Sequence, residues 1–436
     1  MQTGLSTQNA PSPSVVIPHF VFGALMFLAS GIVMMLAAPS LIFHYHLNAQ
    51  MLSLTHLMVL GFISVIIFGS LYQLIPVVME VKLYSEVLAK ITFYLFGVGL
   101  IILVISFWGA NFGSGQNWRW FEISGTLILV AVLLFAFNTL KSASKSKRKD
   151  ISNLFIVTAI IYLVLTVSLA IMMIINFALH FIPVNLLDLL KMHLNLGLMG
   201  WFLFLIIGVA SKLMPMFLII HKLPKYLLKY AYILLNAGLI MMVSAFYFYP
   251  QTWIIGLSSL LLFAGVGLFL YFNYYAFKHR LRKKLDVGLK LSKVAFLLLA
   301  FVLTLSVLDI LSPDFIASFQ YRIDIALIMS IIFGFLTALV LGQTYKTLPF
   351  IIWLKVYKTK VGKQKTPLPQ ELYSSRVAQW HTMTFLIAFL LLIVGELAAI
   401  VWLIQLAAAF FILTAALYNY NVFKIVFHKD KLLNHE

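Results

Sequence analysis

The chain alternates long apolar stretches with short polar segments along almost its whole length. Each apolar stretch has about 20 residues or more, which is enough for a helix to cross the hydrocarbon core of a bilayer. No segment between the stretches is long enough for a separate soluble domain. We therefore predict an all-α integral membrane protein with twelve transmembrane helices in a single domain, residues 1–436. The predicted spans are residues 18–43, 51–76, 86–109, 120–140, 153–178, 189–214, 226–249, 253–276, 292–312, 323–349, 379–402 and 404–423.

The composition supports a membrane protein and limits which side chains can bind a metal or a heme. Of the 436 residues, 63% are hydrophobic and only 10% are charged, and the mean hydropathy is +1.03. A water-soluble domain does not carry such a surface. The chain has no cysteine, so thiolate ligands, disulfides and covalent c-type heme attachment are excluded. A bound metal would have to use His, Met, Tyr or carboxylate side chains.

The net charge of +18 is a topology signal. Of the 31 Lys and Arg residues, only Arg119, Lys191 and Arg322 fall among the loops after odd-numbered spans. The remainder lie in or beside the alternate loops, and the positive-inside rule assigns those to the cytoplasm. Both termini are then cytoplasmic. We interpret the basic segments as mainly topology signals, with a minor share in contact with anionic membrane lipid, and we expect no nucleic-acid partner.

One pattern of two glycines and a proline occurs three times with identical spacing. Small residues at such a spacing suit close packing of helices. The copies imply a pseudo-threefold repeat of four-helix units, approximately residues 1–140, 150–276 and 290–427. The pattern consists of Gly61, Gly69 and Pro76, then Gly200, Gly208 and Pro215, then Gly334, Gly342 and Pro349.

Two histidines stand at the predicted outer ends of helices that carry this pattern. His56 precedes Gly61, and His193 precedes Gly200. A neutral imidazole inside a helical bundle is a common ligand of heme or of a metal. A hydrogen-bonded histidine at the membrane interface is the competing interpretation.

The segments around these histidines resemble a known family. HLNLGLMGWFLFLIIGVASKLMP, from His193 to Pro215, resembles the heme-ligand helix of the heme-copper oxidase catalytic subunit (subunit I), especially its cytochrome c-fed branch. THLMVLGFISVIIFGSLYQLIP, which contains His56, is similar to the helix of the family's low-spin heme ligand. The resemblance implies twelve helices with pseudo-threefold symmetry and a b-type heme near the outer side.

The chain departs from that family where the family binds copper. The family has an HxH motif in span 10, whose two imidazoles face different hemes because two helical residues differ by about 200°. Leu327 and Met329 occupy those positions here, and the corresponding pair in span 6 is His193 and Asn195. Residues 225–249 lack the family's copper-binding His pair. The copper centre that reduces oxygen is therefore not expected, and whether the protein catalyses a reaction stays open.

Two ligand sets for a b-type heme remain, His56 with His193 and His56 with Met329, and we rank the first higher. NnrS-like proteins, which are connected with nitric oxide and with heme or copper handling, show a similar weakening of the pattern. The resemblance implies electron transfer, support of a respiratory complex or a response to nitric oxide. A redox partner protein or other respiratory subunits would be its partners, in the bacterial inner membrane.

A copper or heme transporter is the alternative function. His44, His46 and Met51 precede His56 in a predicted outer segment, and imidazole with thioether favours copper over harder cations.

Other polar residues fall inside or at the ends of spans. Glu396 lies inside span 11, where we expect it to be protonated or paired, and with Asn195 it is a candidate for a proton path or a buried polar contact. Arg322 could pair with Asp324 or with a heme propionate. Lys212 and Lys346 are interpreted as cations that snorkel to the interface.

Overall fold

The computed structural model describes residues 9–43, 48–110, 118–147, 150–220, 222–248, 250–311, 320–361, 363 and 365–430. Within these residues the regular elements are helices, and twelve of them are long and apolar enough to span a membrane. They are α1 (Pro13–Ile42), α2 (Ala49–Val78), α3 (Glu86–Trp108), α4 (Arg119–Ala143), α5 (Ile151–Phe177), α6 (Leu186–Leu218), α7 (Tyr226–Phe248), α8 (Thr252–Lys278), α9 (Val287–Val307), α10 (Arg322–Tyr357), α11 (Ser375–Leu397) and α12 (Val401–Val426).

The twelve predicted spans are confirmed in number and order, and most of their ends differ from the prediction by a few residues. The ends of α10 and α11 have identifiable causes. α10 continues through Pro349 to Tyr357, since transmembrane helices tolerate a proline whose neighbours satisfy the freed backbone groups. α11 stops at Leu397 instead of residue 402, because Ala399 takes a left-handed conformation with φ 58°. The Ile400 N–H then bonds to the Gly395 carbonyl at 2.9 Å, and the chain turns directly into α12.

Three helices contain a π-helical segment, and within the described residues these are the three that carry the glycine–glycine–proline pattern. The segments are Leu57–Ser64 in α2, Leu196–Leu203 in α6 and Ser330–Leu336 in α10. Each one begins four residues before the first glycine of its copy. The π-helix is rare and occurs mostly as single-turn bulges within α-helices, and such bulges are frequent at functional sites.

The second glycine of each copy lies where two backbones come close. A Cβ at these positions would stand 2.9 Å or less from an atom of the preceding odd-numbered helix. Any larger side chain would force the helices apart. The contacts are Gly69 with His19 of α1, Gly208 with Ser152 of α5, and Gly342 with Gly288 of α9.

The contacts divide the chain into two compact units, each with its own core. Unit 1 contains residues 72–103 and 117–284, and α7 packs along α8 while α5 packs against α4 and α6. Unit 2 contains residues 12–71, 104–116 and 285–436, and α12 packs against both α1 and α11. The division into three repeat units stays a prediction.

Two lysines at the helix ends next to basic loops, called basic ends below, are held by aspartates. Lys212 of α6 pairs with Asp150, and Lys346 of α10 pairs with Asp286. Each aspartate also caps the helix that follows it, since its Oδ1 accepts a backbone N–H three residues later at 3.0 Å. The interpretation of these lysines as snorkelling cations stays a prediction, and the structure adds that each ammonium meets a carboxylate of the same unit.

The Asp150 carboxyl lies at the rim of unit 1, and its pKa is held below the ordinary value. Burial alone would raise this pKa, but hydrogen bonds from Lys212 and the Asn153 N–H, with the nearby charge of Lys225, outweigh burial. A lowered folded-state pKa contributes stability above the ordinary carboxyl pKa, and this contribution is lost as the pH falls through the folded value.

We predict that Asp286→Asn lowers the melting temperature of the detergent-purified protein. The asparagine oxygen can still cap α9, but Lys346 loses its counter-charge at a site where the two side chains are 13% and 16% exposed. The cost should lie between the ~1 kcal/mol of a surface pair and the ~3–5 kcal/mol of removing one partner from a buried pair. Asp188→Asn is the matched control, because its partner Lys191 is 55% exposed. Equal shifts in the two variants would contradict this prediction.

Candidate functional site

His56 stands in α2 immediately before a π-helical segment. Its Nδ1 lies 2.8 Å from the Leu52 carbonyl oxygen, which can only accept, so Nδ1 carries the proton and Nε2 is the basic nitrogen. The ring stacks on Phe107 of α3 with 4.8 Å between centroids. A neutral imidazole with one nitrogen anchored to a carbonyl is the form that ligates heme iron or a metal.

His193 in α6 has the same tautomer but a different anchor. Its Nδ1 donates to the Thr166 carbonyl of α5 at 3.1 Å, so a second helix fixes the ring. Tyr162 of α5, one turn before Thr166, packs against Gly200. A Cβ at Gly200 would stand 2.7 Å from the Tyr162 ring. His193 belongs to unit 1 and His56 to unit 2. Their pairing on one heme stays a prediction.

The positions that correspond to His56 in the other two copies are Asn195 and Met329. Each is the last residue before its π-helical segment. The Asn195 amide donates to the Lys191 carbonyl at 2.9 Å, so it is used within its own helix. Met329 is buried, with 1% of its surface exposed.

The π-helical segments of α2 and α10 contribute to one aromatic cluster in unit 2. Phe62 of α2 stacks on Phe27 with 4.5 Å between ring centroids, and Phe333 of α10 lies 5.8 Å from Phe411. Phe27 and Phe411 are in edge contact at 6.4 Å, which joins the two pairs. An apolar aromatic interior and an anchored histidine are two of the features that a b-type heme needs from its protein, and unit 2 contains both.

The predicted copper ligands cannot be assembled from the described residues. His44 and His46 lie outside them. Met51 is a core residue at the start of α2, where its backbone N–H is capped by Asn48 at 2.9 Å. Among the described residues, no group of three or more His, Cys, Asp or Glu side chains is placed to hold a metal ion. The copper site stays a prediction.

Glu396 is fully buried near the end of α11, and its partner is Arg322 of α10. The Arg322 Nη1 lies 3.8 Å from Glu396 Oε1 and donates to the Glu396 backbone carbonyl at 3.1 Å. The carboxylate oxygens receive no hydrogen bond within the described part of the chain. Arg322 thus balances the buried charge and also caps the carbonyl end of α11. Sequence reasoning considered Asp324 for this arginine and did not foresee Glu396.

A ladder of polar side chains in unit 1 joins α5 to α7. The Tyr162 hydroxyl donates to Asn236 Oδ1 at 2.8 Å, and Thr158 shares a 2.8 Å hydrogen bond with the Tyr232 hydroxyl. Such interhelical bonds stabilise membrane bundles by about 0.6 kcal/mol each on average. A period of four residues between Thr158 and Tyr162 was the signal in the sequence that could have identified this face.

No protein-family model matches the chain, and no curated protein has a significantly similar sequence. The class of protein is therefore defined by the structure alone. The protein is an all-helical chain with twelve helices fit to cross a membrane, consistent with an integral membrane protein.

We predict that Arg322→Met destabilises the protein and that Glu396→Gln partly restores it. The single variant leaves a buried carboxylate without a counter-charge. Because Arg322 is 25% exposed, the cost should lie between the ~1 kcal/mol of a surface pair and the ~3–5 kcal/mol of a fully buried pair. The double variant removes that charge and retains only the loss of the cap on α11. Melting temperatures of the four proteins form a double-mutant cycle. Additive effects of the two changes would show that the ion pair contributes nothing.

Proposed function

We propose that the protein is a heme-binding membrane protein with an architecture like that of the heme-copper oxidase catalytic subunit. One observation carries the proposal. The three helices that carry the repeated pattern each have a π-helical segment at the same place, directly after His56, Asn195 or Met329. An irregularity repeated at equivalent positions supports three related four-helix units, and the histidine-bearing position is the natural ligand position.

The proposed heme ligands are histidines on two of these helices. His56 is the first ligand, at the position directly before the π-helical segment of α2. His193 is the preferred second ligand because its Nδ1 is fixed by the Thr166 carbonyl of another helix, which leaves Nε2 as the basic atom. Met329 is the alternative partner of His56, since both belong to unit 2. A bound heme b would supply one-electron redox chemistry, and a methionine ligand would raise its potential.

The protein's own residues orient the two proposed ligand histidines and keep the interior of unit 2 apolar. The carbonyls of Leu52 and Thr166 hold the two imidazole rings, and the phenylalanine cluster of unit 2 keeps its interior apolar. Asn195, Leu327 and Met329 offer no imidazole for a copper ion, so oxygen reduction of the family's kind is not part of the proposal. Electron transfer, support of a respiratory complex and a response to nitric oxide fit a heme without that copper.

The copper alternative has less support from the described residues. Met51 is in the core at the start of α2, although a metal at an outer mouth needs accessible donors. Transport of copper or heme therefore remains the second candidate on the sequence argument alone.

An optical spectrum tests the heme. Protein purified after heme-replete expression should show a Soret band, and an α band after dithionite reduction. Both should disappear in the double variant His56→Ala/His193→Ala. If Met329 is the second ligand, His193→Ala should keep the bands and Met329→Leu should alter them. His279→Ala is the matched control, because His279 is exposed and has the same Nδ1-to-carbonyl bond, at 3.0 Å. A wild-type protein without heme bands would refute the proposal, and copper analysis of a His44→Ala/His46→Ala pair would follow.

In the proposed orientation, the basic loops lie on the cytoplasmic side of a bacterial inner membrane. The absence of cysteine makes single-cysteine labelling clean. Leu281→Cys lies in the basic loop after α8 and Phe181→Cys in the loop after α5, and the native side chains are 62% and 50% exposed. An impermeant maleimide added to intact spheroplasts should label the variant at position 181 and spare the variant at position 281 until the cells are opened. The reverse result would invert the topology.

A further inference from the structure

A buried polar cluster in unit 2 lies near the basic ends of α10, α11 and α12, outside the proposed heme site. Its rings belong to Tyr345, His381 and Tyr418, each at most 4% exposed. The Tyr345 and His381 rings meet edge to face at 5.3 Å, and the His381 and Tyr418 rings stack at 6.0 Å. We call these three residues the Tyr-His cluster.

His381 has a defined tautomer and an unfilled acceptor. Its Nδ1 lies 2.9 Å from the Ala378 carbonyl, so Nδ1 carries the proton and Nε2 is the acceptor. Nε2 is fully buried, and within the described residues no donor reaches it. A buried acceptor left unpaired costs about 1–3 kcal/mol, so native proteins almost always fill it.

Tyr345 has a hydroxyl donor without an acceptor among the described residues, which complements the free acceptor of His381. Its hydroxyl oxygen accepts a hydrogen bond from the Asn421 amide at 3.2 Å, but the hydroxyl proton has no acceptor in the part of the chain that the structure describes. Tyr418 differs, because its hydroxyl donates to Thr344 Oγ1 at 2.9 Å. One unfilled donor and one unfilled acceptor thus stand on two rings that are in contact.

We propose that the Tyr-His cluster binds one water molecule that accepts from the Tyr345 hydroxyl and donates to His381 Nε2. A molecule with both a donor and an acceptor satisfies the two groups at once, whereas a metal cation would satisfy only the nitrogen. Buried waters typically serve such pairs of groups. The water links α10 to α11 and extends the chain of hydrogen bonds from Asn421 through Tyr345 to His381.

The Tyr-His cluster lies close to the start of α11. The Tyr373 ring, just before α11 begins, packs on Tyr345 at 4.8 Å. Burial and then the charge of Asp286 raise the pKa of Tyr373 to about 12, so its phenol stays neutral. Asp286 itself is partly exposed at the rim. His381 lies in the second turn of α11, so water has roughly 10 Å to travel from the helix start.

A double-mutant cycle tests the proposal. Tyr345→Phe removes the donor and keeps the ring, and His381→Phe removes the acceptor and keeps an aromatic ring. Each single change strands the water on one side and should lower the melting temperature in detergent by several degrees. The double variant should lose no more than the worse single variant, because neither unfilled group is left.

Tyr418→Phe with His381→Phe is the matched control cycle. Tyr418 also contacts the His381 ring, but its hydroxyl is already paired with Thr344. This cycle measures the coupling that ring contact alone produces. The Tyr345 cycle should show a larger coupling. If its coupling is no larger than that of the control cycle, no shared molecule joins Tyr345 to His381 and the proposal fails.

Wild-type protein provides a test that does not depend on the folding of variants. In histidine-labelled protein, magnetisation should pass from water to the ring protons of His381, whose resonance is assigned by its loss in His381→Phe. The transfer should vanish in Tyr345→Phe. A wild-type His381 ring that shows no transfer from water would overturn the proposal, whereas the heme spectrum would be unaffected.

Discussion

The rest of the structure depends on the requirement that backbone and side-chain polar groups find partners inside the chain, because the hydrocarbon core of a membrane offers none. Helices satisfy the backbone, and buried hydroxyl and amide side chains mostly turn back to their own helix. Thr344 donates to the Val340 carbonyl and Asn273 to the Phe269 carbonyl, both one turn earlier. The groups that escape this local solution are therefore informative, and they are few among the described residues.

Close packing at the basic helix ends follows from the same requirement. Gly208 and Gly342 let α6 and α10 approach α5 and α9, and this approach brings Lys212 and Lys346 to the aspartates that cap those helices. Each lysine thus gains its counter-charge from an aspartate that already caps the neighbouring helix. Close packing of the two helices and pairing of the two charges therefore occur together.

The sequence predicted the number and order of the spans because hydrophobic length is a direct reading of membrane thickness. It missed the end of α11, since an alanine in a left-handed conformation carries no turn signal. It also treated each lysine alone, although Asp150 and Asp286 stand where a helix cap is expected. No motif in the sequence points to His381. An unfilled Nε2 can be recognised only once the neighbouring rings are placed, whereas His56 and His193 had a motif around them.

The tautomer of His56 does not by itself mark a heme ligand. His19, His56 and His279 all place Nδ1 at the carbonyl four residues earlier, which is a local habit of histidine in a helix. His193 differs, because its Nδ1 bonds to the Thr166 carbonyl on another helix and the packing of the two helices sets the orientation of its ring. What separates His56 from His279 is the π-helical segment that begins at the next residue. A stacked aromatic ring does not, because Phe107 lies on His56 at 4.8 Å and Tyr275 lies on His279 at 4.0 Å. The heme proposal therefore rests on the repeated π-helical segments, and the cross-helix anchor of His193 supports the choice of the second ligand.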